Sequence, residues 1–251
     1  MNSLLNVQLD IKERDERLKL LAVSPGSKDY LPKGARHDAI LRAGFLRGEA
    51  TGDNTQASRR KNDSILWDGI TQSIFLTAEA PRLRQQLSDA AKNYDWKTTL
   101  KIVSEYPDLV NVTRPDGASL YAPLHQAAHG GAPLEVIEQL IEMGAWRTLQ
   151  NGKGERPLDV AVRQKHKHLY SALEPQYKRR VPLGILSKIQ QHFHKVMSGR
   201  ISGLEHASAL RLPEIEPLLE YENAKVWFVV LDMYGEFHYG LKRVASRLGS
   251  W

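Results

Sequence analysis

Nine histidines and one dense block of positive charge are the residues of this 251-residue chain best suited to chemistry. His125 and His129 stand four apart, a spacing that places two imidazoles on one helical face and would suit a two-histidine metal site. No Glu follows His125 to make H-E-x-x-H, and no third ligand is evident, so neither a metal nor a cofactor is expected. His166 and His168 are two apart, as are His192 and His194. On a helix such pairs diverge, so they read as parts of a solvated cationic face. Asp232 and Glu236 bracket an expected turn, with His238 beyond them. An enzyme would have to place its acid–base groups there. The nucleotide-binding and nucleophile-elbow glycine patterns are absent, and the expectation is a non-enzymatic protein.

The charge is uneven. The net charge is +6, yet residues 151–200 alone carry 11 basic against 3 acidic groups. Arg163, Lys165 and Lys167, with Lys178, Arg179 and Arg180, are candidate contacts for an anion or an acidic partner. Such a block could also track phosphates. Aromatic residues are thinly interleaved with it, so a nucleic-acid-associated accessory role ranks behind a protein partner. The chain has no cysteine, which excludes disulfides and thiolate ligands and suits a reducing cytoplasm. Neither a secretory h-region nor a membrane-length apolar run is present, so no membrane partner is expected.

What could position these residues is legible between Ala122 and Val162. Pro123-Leu124-His125 is followed by Ala127-Ala128, Gly131, Val136, Leu140-Ile141 and Gly144-Ala145. Pro157-Leu158 and Ala161 repeat the opening thirty-four positions later. Pro presets φ for a first helical turn, where its missing N–H costs nothing. Leu124, Ala127 and Ala128 share one face, with alanines small enough to admit a close second helix. Gly131 supplies a left-handed stop, and Val136, Ile137, Leu140 and Ile141 form the stripe of a return helix. Such a pair cannot bury its own sides and must stack on neighbours.

This segment resembles an ankyrin repeat, and three such units are counted over residues 81–175. Leu87, Ala90 and Ala91 stand in the first unit where Leu124, Ala127 and Ala128 stand in the second. Lys165 takes the place of the turn glycine in the third. The family's Thr before Pro-Leu-His is Ala122 here, so a capping hydroxyl is missing. The resemblance implies a structural role for His125, bonding backbone between repeats. It also implies a protein partner held on the finger tips and concave side, where Ser119, Leu120, Tyr121, Trp146 and Arg147 are the expected contacts.

The rest of the chain is read around that array. Residues 1–62 are expected to be a flexible polar leader, with a short amphipathic helix over 11–22. Residues 63–180 are the array, with 63–76 covering its first face as an N-terminal cap. Residues 181–251 are a small α+β module holding a helix over 183–196, a strand over 226–231 and a β-hairpin. The run Trp227-Phe228, Met233-Tyr234-Gly235, Phe237 and Tyr239 is similar to a module that follows ankyrin repeats in uncharacterised bacterial proteins. Leu231-Asp232 departs from the Pro-Gly of that pattern. The fold class is therefore mainly α: a short ankyrin solenoid followed by an α+β module. The expected function is an adaptor, regulator or immunity-type interaction protein, with an enzyme centred on residues 181–251 as the alternative.

Overall fold

The computed structural model describes residues 6–9, 12–13, 64–67, 69–76, 80–204, 207–221, 225–230 and 236–244. It is mainly helical. Six helices form three consecutive pairs: α1 (Ala80–Lys92) with α2 (Trp96–Glu105), α3 (Pro123–Gly130) with α4 (Leu134–Glu142), and α5 (Pro157–Gln164) with α6 (Tyr170–Leu173). The first helices pack side by side in the order α1, α3, α5, and the second helices in the order α2, α4, α6. The small residues Ala127, Ala128 and Ala161 are buried in the core that joins the pairs, as close helix approach requires, and Ala90 and Ala91 are buried on α1.

Each first helix ends in a left-handed residue at the same position: Tyr94 at φ 61°, Gly131 at 62° and Lys165 at 63°. Only glycine adopts this conformation without steric cost, so the first and third units store backbone strain that the second does not. Gly131 is needed for a second reason: a Cβ there would lie 2.7 Å from the His166 ring. Without a capping hydroxyl, Ala122 and Arg156 begin α3 and α5 by another route. The Ala122 N–H donates to Nδ1 of His125 at 3.4 Å, and the Arg156 N–H to Oδ2 of Asp159 at 2.8 Å.

Beyond the pairs, α7 (Leu183–Ile201) starts after Pro182 and buries Leu186, Phe193, Met197 and Ile201 along one seam. Residues 207–221 follow as irregular chain with two short 3-10 turns. The strands are β1 (Asn6–Leu9), β2 (Lys12–Glu13), β3 (Ser64–Trp67), β4 (Lys225–Val229) and β5 (Glu236–Val244). Their order is β1–β5–β4–β3, with β2 also on β5. β3 runs parallel to β4, with Trp67 opposite Phe228, and β5 runs antiparallel to β4, with Glu236 opposite Val229.

Two sequence expectations change here. Six residues of the expected leader are strands on β5, and within the expected helix over 11–22 the described Lys12–Glu13 are extended. The remainder of 1–62 lies outside the described residues. Residues 64–67, expected as part of a cap, meet the Pro107–Leu109 turn that closes the first helical pair and also join the sheet. They pair with β4, because Trp67 finds its apolar surroundings in the second core with Phe193, Val226 and Phe228. Among the described residues, no helix is long and apolar enough to cross a membrane.

Candidate protein-docking surface

The last turns of the three first helices carry Lys92, His129 and Arg163, one cationic or imidazole side chain per pair in matching positions. The C-terminal partial charge of each helix favours such groups. Around them the chain builds a connected strip. Tyr94, 44% exposed, seats its ring on Gly130, where a Cβ would come within 2.4 Å of it. Its hydroxyl lies 3.0 Å from Nδ1 of His129. The Tyr121 ring meets His129 edge-on at 6.1 Å, and its hydroxyl accepts from Arg163 Nη2 at 2.9 Å. Arg163 also donates from Nε to Glu155 at 2.9 Å. That bond and one from Asn151 hold the Glu155 carboxyl below its ordinary range. Burial, followed by the electrostatic influence of Arg163 and His166, lowers the His129 pKa.

His125 has a different part. It is fully buried, accepts from the Ala122 N–H, and donates from Nε2 to the Glu155 carbonyl at 3.2 Å. Burial pushes its pKa down from 6.5 to about 4. It joins the second pair to the third, in keeping with the structural role the resemblance implied. His166 is half-buried and His168 exposed, as the solvated reading has it, and both also bond backbone. Their Nε2 atoms donate to the carbonyls of His129 and Ala132 at 3.1 and 3.2 Å. No group of three or more metal-ligating side chains converges among the described residues.

The expected contact residues separate. Ser119 is exposed and Leu120 half-buried at the tip between α2 and α3, where the Ser119 carbonyl accepts from the Gly152 N–H at 2.9 Å. Tyr121 is half-buried within the strip. Trp146 and Arg147 are instead engaged within the chain. Trp146 is 2% exposed and stacks on Trp67 at 5.5 Å between centroids. Arg147 donates from Nε to the Ala172 carbonyl at 2.9 Å and lies 3.8 Å from Glu220. Of the basic block, Arg163 belongs to the strip, Lys165 and Lys167 are exposed at the adjoining turn, and Lys178, Arg179 and Arg180 lie on the connector to α7. The Lys178 N–H donates to the Leu219 carbonyl at 2.8 Å.

What covers Trp146 and Arg147 is the chain's own residues 211–220. Glu220 accepts from the Arg147 N–H, and from the Thr148 N–H and hydroxyl at 3.0 and 2.6 Å. Glu214 accepts from the Gln150 N–H at 3.1 Å and from Arg211, which also reaches the Gln150 carbonyl. Glu216 takes Arg156 and the Tyr177 hydroxyl, each at 2.6 Å. Burial raises the pKa of Glu214 and of Glu220, although each is surrounded by donors. These carboxylates satisfy loop N–H groups that a free repeat would leave to water. Beneath them Ala122, Trp146 and Leu149 share a core with Phe193, Leu218 and Phe228.

Sequence reasoning missed Tyr94 and His129 as strip members. Aligning Lys92, His129 and Arg163 by the repeat step would have exposed the row, since that step was already legible. Asp232 lies outside the described residues, as do the side chains of Trp227, Glu236 and His238.

No family model matches the sequence, and no curated protein is similar to it. Among solved structures, the chain is similar to one chain of the complex between the Bd0816 predatory endopeptidase from Bdellovibrio bacteriovorus and immunity protein Bd3460. The identity is 25% over 55% of this chain and 58% of that chain, with a TM-score of 0.30. At that score the likeness carries no argument about fold or role.

Proposed function

We propose that this chain is an ankyrin-repeat interaction protein of the adaptor, regulator or immunity type, and that it docks a partner protein on the strip from Tyr94 to Arg163. The observation that carries the reading is the strip's continuity. Tyr94, His129, Tyr121 and Arg163 come from three successive helical pairs and touch one another in sequence. Tyr and Arg are the side chains that most often anchor interfaces, and rings already seated lose little entropy on binding. Trp146 and Arg147 are set aside because residues 211–220 occupy their side of the stack. On this reading residues 181–251 support the array.

A photo-crosslinking side chain tests it. Placed at Asn93, exposed beside Tyr94, it should trap a discrete partner from the native host. Placed at Glu138, exposed on the outer helix α4, it should not. Crosslinks from Glu138 alone, or capture unchanged by Tyr94→Ala and Tyr121→Ala in folded protein, would move the interface elsewhere.

A further inference from the structure

We infer that the strip recognises an extended acidic segment of its partner, with carboxylates spaced about three residues apart. The inference rests on the docking reading above and adds the chemistry of the occupant. Lys92, His129 and Arg163 recur at the end of each first helix, so they form a row that crosses the stack rather than a local cluster. Packed helices succeed one another by roughly 8–10 Å. An extended chain covers that distance in about three residues. One carboxylate per row position is therefore the matching register.

The row has unused capacity. Lys92 is exposed, and no carboxylate among the described residues lies within ion-pair distance of its ammonium. His129 uses Nδ1 on Tyr94, and its Nε2 has no hydrogen-bond partner among the described residues. Arg163 is held at Nε and Nη2 by Glu155 and Tyr121, and its side chain stays 42% exposed. The nearby acids are already engaged. Asp89 pairs with Arg114 at 2.9 Å, Asp95 caps α2, and Glu155 takes Arg163 and Asn151. Helix C-termini alone would explain a cation at each position. They do not explain why Tyr94 and Tyr121 flank the row.

A single-stranded nucleic acid fits less well. Base stacking needs an open aromatic face. The Tyr94 ring is seated on Gly130, with Trp96 5.6 Å away and His129 6.5 Å away.

The test uses the full chain and fluorescein-labelled (Glu-Gly-Gly)4, with (Lys-Gly-Gly)4 and an oligothymidylate of equal charge as comparisons. Anisotropy should show binding of the acidic peptide only, weakening several-fold between 50 and 200 mM salt. Lys92→Glu should weaken it at least tenfold with an unchanged melting temperature, because that side chain is solvent-exposed. His129→Gln should weaken it less. No binding at low salt, or binding indifferent to Lys92→Glu, overturns the inference. Tighter binding of the oligothymidylate overturns it in favour of nucleic acid. If the Asn93 crosslink still captures a protein through Tyr94 and Tyr121 while Lys92→Glu changes nothing, the docking reading stands and the acidic register fails.

Discussion

The indole rings of Trp67 and Trp146 stack at 5.5 Å and 14°, although 79 residues separate them in the chain. Trp67 belongs to a strand of the sheet, and Trp146 to the loop that closes the second helical pair. Arg211 covers the outer side of Trp67 at 5.3 Å and accepts its indole N–H on the backbone carbonyl at 3.0 Å. This contact fastens the sheet to the helical pairs, and the two are expected to unfold together.

Truncating either ring should show that. Trp146→Ala is expected to cost about 3–5 kcal/mol in urea unfolding, the usual range for a buried aromatic. The double variant with Trp67→Ala should cost less than the sum of the single losses, by about 0.5–1.5 kcal/mol for the stacked pair. Additive losses would mean that the rings are merely neighbours.

The three left-handed helix ends make opposite predictions for two substitutions. Lys165→Gly should raise stability by up to about 1 kcal/mol, because a side chain at φ 63° is strained. Gly131→Ala should lower it by more than about 1 kcal/mol, combining the same strain with a Cβ 2.7 Å from the His166 ring. Equal effects of both would show that neither the backbone conformation nor the His166 contact matters.

His125 fixes a pH dependence. Its folded pKa is about 4 because burial disfavours the imidazolium, against 6.5 for the free side chain. The unfolded chain then binds the proton more readily than the folded one. The stabilisation is complete above about pH 6.5 and is lost as the pH falls towards 4, by up to about 3 kcal/mol. His125→Gln cannot take up that proton, so the stability difference between wild type and variant should shrink across this window. A difference that stays flat from pH 7 to 4 would mean that His125 is not buried neutral.

The sequence by itself determined the local repeat. Pro at a helix start, small residues inside the helix and a stop at Gly131 or Lys165 act within one helical pair, and their thirty-four-residue recurrence survives as periodicity. That was enough to place the helices; the structural role of His125 was what the resemblance implied. It did not decide which aromatic faced water. Trp146 and Arg147 have the composition of an interface anchor, and their burial depends on Trp67, Ala172 and Glu220, which no local pattern connects to them. The sheet is hidden for the same reason. β3 finds β4 and β1 finds β5 across most of the chain length, so their pairing leaves no short-range trace. The bonds of His166 and His168 left no trace in the sequence because each partner is a carbonyl of the preceding helical pair, and any residue type can supply a carbonyl. Local spacing encodes the helices through backbone preferences. Which surfaces remain free is settled only when distant segments compete to cover them.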